Sequence, residues 1–176
     1  AFGATNYTWT GGLVSGASTN AGPLTTTTTY TVTGSSGSCS NTAVATVTVN
    51  PSPTVTVNSP AICAGQSATL TASGATTYTW TGGLLSGATT SAGPLTTTTT
   101  YTVTGTASGC TGTATATVTV NGNPGVSVNS PAICSGQSAT LNASGATTYT
   151  WTGGLLSGAT TSAGPLTTTT TYTVTG

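Results

Sequence analysis

The chain has 176 residues and a formal charge of zero, because it contains no Asp, Glu, Lys, Arg or His. General acid–base catalysis needs a side chain that titrates near the working pH, hard cations need carboxylates, and nucleic acid needs cationic side chains. The composition excludes those chemistries and leaves four Cys and six Tyr as the titratable side chains, so the expectation is a non-enzyme with no cofactor, no metal and no nucleic-acid partner.

No apolar run approaches the roughly 20 residues that cross a bilayer as a helix, and no membrane insertion is expected. Thr makes up more than a quarter of the residues. Thr and Val favour strands because β-branched side chains fit a pleated, half-buried surface. No apolar stripe of helical period occurs, and Gly, Thr and Pro interrupt every window. The expected fold class is all-β.

In chain order, residues 1–34 form a unit that returns at 72–105 with five substitutions and recurs unchanged from there at 143–176. Trp9, Trp80 and Trp151 mark it at intervals of 71 residues, as do Cys39 and Cys110, and Cys63 and Cys134. A period of that length is domain-sized rather than a solenoid rung. The units divide as residues 1–50, lacking the first two strands, 51–121, complete, and 122–176, lacking the last strand. Partial units at both ends read as a window on a longer array. The alternative is a subunit that polymerises by lending strands to its neighbour. A head-to-tail joint of these ends fits less well, because it leaves half a unit surplus.

Within the complete unit, residues 54–58 (TVTVN) alternate, residues 67–73 place Ala68, Leu70 and Ala72 on one face, and residues 77–81 do the same for Tyr78 and Trp80. A weaker piece covers residues 88–92 before Gly93-Pro94 turns the chain. Residues 99–106 align Tyr101 with Val103, and residues 113–120 align Ala114, Ala116, Val118 and Val120. About six or seven short strands at this spacing predict a β-sandwich. Its core is Leu70, Tyr78, Trp80, Tyr101, Val103 and Val118. The short links Asn50-Pro51-Ser52-Pro53 and Asn121-Gly122-Asn123-Pro124 contain Pro and favour a stiff row of units.

Gly65-Gln66-Ser67-Ala68-Thr69-Leu70-Thr71-Ala72 resembles the second strand of an immunoglobulin-type domain. Trp80 stands where such a domain carries its core Trp, and Tyr101-Thr102-Val103 is similar to the tyrosine corner. The whole pattern resembles the tandem Ig-like repeats of large secreted cell-surface and adhesin proteins of Bacteroidota, of the gliding-associated, type IX-secreted kind. The resemblance implies tandem immunoglobulin-like β-sandwich modules, extracellular and at the cell surface. The chain departs from that family in lacking acidic loop residues, which speaks against calcium in the links.

Each unit carries two Cys, and small extracellular domains commonly use disulfides. Cys39, Cys63, Cys110 and Cys134 are the candidates. Cys63 and Cys110 pair either within one module or between adjacent modules. In an immunoglobulin topology they fall in loops at opposite ends of the sandwich, which hinders the first arrangement, and free thiols are the third possibility. Cys63-Ala64-Gly65-Gln66 and Cys134-Ser135-Gly136-Gln137 have the spacing of an internal thioester motif, but Gly-Gln is also the ordinary turn before a strand. The Thr runs at 25–29, 96–100 and 167–171 suggest ranked hydroxyls as in ice binding, against the plainer reading of Thr-rich strand entries facing water. Asn6-Tyr7-Thr8 and Asn142-Ala143-Ser144 fit the N-glycosylation pattern without recurring from unit to unit. Trp80 and Tyr78 are expected to be core rather than a sugar platform.

The expected function is a structural repeat of an extracellular filament or stalk, non-catalytic and disulfide-reinforced. An uncharged surface favours association, so self-association into a fibre or array is expected. The alternative is an adhesin module that binds a glycan or host surface, with an ice-binding protein behind it.

Overall fold

A computed structural model describes residues 2–176, and every regular element among them is a β-strand. The opening segment has β1 (Asn6–Trp9), β2 (Thr28–Ser36) and β3 (Cys39–Val47), joined as one antiparallel sheet in that order. Tyr7, Tyr30 and Val32 are buried in it, whereas all nine residues of β3 are exposed.

The central segment has β4 (Thr56–Val57), β5 (Ala61–Cys63), β6 (Gln66–Ser73), β7 (Thr77–Trp80), β8 (Thr89–Leu95), β9 (Thr99–Ala107) and β10 (Cys110–Asn121). They form two sheets, β4-β6-β8 and β5-β10-β9-β7. Period-two burial fixes which faces meet. On β6, Ala68, Leu70 and Ala72 are buried and the intervening Thr69 and Thr71 are exposed. Leu70 and Ala92 from the first sheet pack with Tyr101, Ala116 and Val118 from the second, and Ala72 packs with Tyr78 and Val103. The core therefore sits between the sheets, an arrangement consistent with a β-sandwich. Trp80 is half-buried and bridges both clusters. Its indole Nε1 donates to Gly87 O at 2.9 Å, which satisfies the one polar atom of a ring laid on the core.

Three details differ from the sequence expectation. Gly93-Pro94 does not end a strand but lies inside β8. Gly93 has φ +117°, a Cβ there would sit 3.1 Å from Gln66 O, and the β6–β8 register shifts between Gln66 and Ala68. A bulge beside a glycine absorbs the irregularity, and Pro is tolerated because β8 is an edge strand. Cys63 is not in a loop; it ends β5, which runs parallel to β10. Finally, β10 starts at Cys110 rather than at residue 113, because Cys110, Thr111 and Gly112 continue the ladder with β9. At Gly112 an added Cβ would collide with Pro53 O, so the link entering this segment lies directly on the strand.

The closing segment has β11 (Ser127–Val128), β12 (Gln137–Ser144), β13 (Thr150–Trp151), β14 (Thr160–Leu166) and β15 (Val174–Thr175), in sheets β11-β12-β14 and β13-β15. Leu141, Ala143, Tyr149 and Ala163 are buried.

Candidate functional site

Among the described residues the chemistry-bearing groups are the thiols and the exposed sheet faces. All four cysteines are free thiols; Cys39, Cys63 and Cys134 are exposed and Cys110 is partly covered. The strand register decides what Cys63 and Cys110 can reach. Cys110 opens β10 opposite Ala107, while Cys63 is paired with Asn121 at the other end of that strand. Eleven residues at ~3.3 Å each put them ~36 Å apart, far beyond the ~7 Å limit on Cα separation in a disulfide. A Cys63–Cys110 bond inside the central segment is therefore removed by geometry.

Each thiol sits instead at a link between segments. Cys110 Sγ donates to Asn50 O at 3.3 Å, and Asn50 Nδ2 donates to Ser108 O at 3.1 Å. At the far end, Ala64 N donates to Asn121 O at 2.9 Å and Asn123 Nδ2 donates to Ala64 O at 3.4 Å. Asn50 and Asn121 occupy the same place in the repeat, one touched by a Cys110-type thiol and the other in register with a Cys63-type residue. The sequence reading missed these asparagines; the available signal was that Asn50 and Asn121 recur 71 residues apart, each at the start of a link. It also missed Asn58, whose side chain imitates a strand by accepting from Thr71 N at 2.7 Å and donating to Thr69 O at 3.0 Å.

The second feature is a pair of open faces. In the opening segment Val44 and Val47 on β3 are exposed. In the closing segment a groove of about 620 Å³ is lined by Ile133, Ala139, Leu141, Trp151, Ala163 and Tyr172. Their counterparts in the central segment, Ile62, Ala68, Leu70, Trp80, Ala92 and Tyr101, pack around Ala116 and Val118 of β10.

The remaining candidates behave as structure. Tyr78 is buried, and its hydroxyl accepts from Ala75 N at 2.7 Å and donates to Ala75 O at 2.9 Å. This local tie belongs to Tyr78, while Tyr101, which the resemblance assigned to a tyrosine corner, is buried in the core. Gln66 opens β6 directly after the Ala64-Gly65 turn, so the C-x-x-Q spacing spans the passage from β5 to β6. Thr98 Oγ1 accepts from Val120 N at 3.0 Å and Thr27 Oγ1 from Val49 N at 3.0 Å, which gives the Thr runs a role in anchoring strand ends. Among the described residues no group of three or more Cys could hold a metal, and no helix is long and apolar enough to cross a membrane. No family model matches the chain, and no curated protein matches it.

Proposed function

We propose that this chain is a structural repeat of an extracellular, cell-surface filament or stalk, made of tandem immunoglobulin-like sandwiches repeating every 71 residues. The observation that carries the reading is the fastening of the links. Asn50 is bonded to the β9–β10 turn and Asn121 and Asn123 to the end of β5, so each link is held by backbone and side-chain hydrogen bonds instead of swinging freely. A row of small sandwiches with fastened links holds a fixed spacing. Zero net charge removes the self-repulsion that keeps proteins apart, which suits lateral or end-to-end assembly. The mechanism is mechanical, with no catalytic step, and disulfides between repeats add resistance to shear. Electron cryo-microscopy of the native surface material tests this. A continuous filament with a regular axial spacing set by these units is expected; flexible strings with no axial repeat would overturn it.

A further inference from the structure

We infer that Asn121-Gly122 is a self-modifying site, at which the chain converts its own uncharged link into a charged one. The product is an aspartyl or isoaspartyl residue at position 121, formed without an enzyme. Nine Asn occur in the chain, and only Asn121 precedes Gly. The following residue matters because its backbone nitrogen is the group that attacks the Asn side-chain carbon. Glycine presents that nitrogen with no Cβ to shield it and with the widest choice of φ and ψ. Proline has no N–H to give up, which silences Asn50 and Asn123.

The fold separates Asn121 from the remaining asparagines. Asn58 and Asn129, each followed by Ser, are clamped at both ends of the side-chain amide. Asn58 accepts from Thr71 N at 2.7 Å and donates to Thr69 O at 3.0 Å. Asn129 accepts from Asn142 N at 2.7 Å and donates to Thr140 O at 3.0 Å. Asn41 Oδ1 accepts from Thr42 N at 2.9 Å, which engages the very amide that would attack it. Asn20 and Asn142 accept from Gly22 N at 3.1 Å and Thr160 Oγ1 at 2.9 Å, and Asn6 is followed by the buried Tyr7 inside β1. Asn121 is exposed at the end of β10, and among the described residues its side chain and the Gly122 N–H have no hydrogen-bond partner. A Cβ added at Gly122 would touch nothing. Both reacting groups are free where the chain leaves the ladder.

The step needs only water as co-reactant and moves no electrons between groups. Gly122 N loses its proton and bonds to Asn121 Cγ; the Cγ–Nδ2 bond breaks, and ammonia leaves with that proton. Water then opens the resulting five-membered imide. Cleavage at Cγ gives an ordinary aspartyl residue, and cleavage at the main-chain carbonyl carbon gives the isoaspartyl form. Either product is ionised at neutral pH and is the first charged side chain in the molecule, with no cation to pair with it. In the isoaspartyl form the backbone runs through Cβ and Cγ and is longer by one carbon. That displaces Asn123, whose 3.4 Å bond to Ala64 O helps to fasten this link. The link at residues 50–53 keeps its fastening, because Pro51 blocks the same reaction there. The two links therefore age differently, whatever the array builds.

The test ages the folded 176-residue chain in mildly alkaline buffer under reducing conditions, with peptide mapping by mass spectrometry and anion-exchange chromatography at intervals. Expected is an anionic form that accumulates with time and maps to position 121, as a mixture of aspartyl and isoaspartyl peptides. G122A, at a site with room for the methyl, is expected to slow it roughly tenfold or more, and N121Q to abolish it. Hydrogen exchange on the aged chain should show faster exchange of the amides at 61–64, beside the altered link, and no change at Cys110. Ageing in urea is expected to speed Asn58 and Asn129, once their clamps are gone, far more than Asn121. Modification at Asn58 or Asn129 as fast as at Asn121 in the folded chain would overturn the site. So would an unmodified Asn121, or one that accelerates on unfolding as much as the clamped pair. Unchanged exchange at 61–64 in the aged chain would overturn the loosening of the link.

Discussion

Residues 72–105 and 143–176 are identical, yet they do not form the same strands. In the first copy residues 99–105 are strand throughout, as part of β9; in the second the matching residues 170–176 contribute only the two residues of β15. β7 likewise has four residues where β13 has two. The pairs β6 and β12, and β8 and β14, keep the same lengths. Local propensity is the same in both copies and cannot be the cause. What differs is the neighbour: β9 is hydrogen-bonded on both edges, by β7 and β10, while β15 has β13 alone. Burial follows the pairing, since Val103 is fully buried and Val174 only half-buried. In a Thr-rich strand with small inward side chains, a ladder on each edge supplies the order that packing alone does not.

Five measurements test whether strand pairing makes this difference. Hydrogen exchange should show the largest contrast, with amides of β9 protected on the order of a hundredfold more than their equivalents at 170–176; equal protection would mean that pairing is not the cause. Next, L70A should cost about 2–5 kcal/mol in urea unfolding of the central segment. L141A, beside the open groove, should cost less, because Leu141 is 7% exposed where Leu70 is fully buried and there is less packing to lose. G112A drives a methyl into Pro53 O and should cost about 1–3 kcal/mol, read as a lower melting temperature of the central segment. W80F and W151F each delete a 2.9 Å indole-to-carbonyl bond, to Gly87 and Gly158, and should cost about 0.5–1.5 kcal/mol apiece. W80F should cost more than W151F, because Trp80 also packs against the cluster that holds Ala116 and Val118 of β10, whereas Trp151 lines the groove. The smallest effect is expected from acid. With no Asp, Glu or His to change protonation, melting temperature should stay nearly flat from about pH 4.5 to 7, in a series of scans at constant ionic strength.

Much of the fold was legible because alternation is a property of the covalent chain. The burial of Ala68, Leu70 and Ala72, of Tyr78, and of Tyr101 with Val103 follows the period-two pattern directly. β5 was not legible, since three residues, Ala61–Cys63, carry no periodicity and exist as a strand only because β10 lies beside them. Gly93-Pro94 was read as a turn because the pair ordinarily is one; only the bulge opposite Gln66 keeps it inside β8. The cysteines were legible as candidates at opposite ends of the sandwich, but not as members of strands. β10 runs for twelve residues, longer than its alternating core, and that length carries each thiol to its own link.

The composition settled which side-chain groups the molecule lacks, because no fold can supply a missing carboxylate, imidazole or cation. Pattern determined the strand class and the inward residues, because side chains on an extended backbone must alternate. Contacts between distant residues settled which strands persist and where the thiols stand. Those properties depend on hydrogen bonds between residues far apart in the chain, and β9 and β15 show that one sequence with two sets of neighbours gives two outcomes.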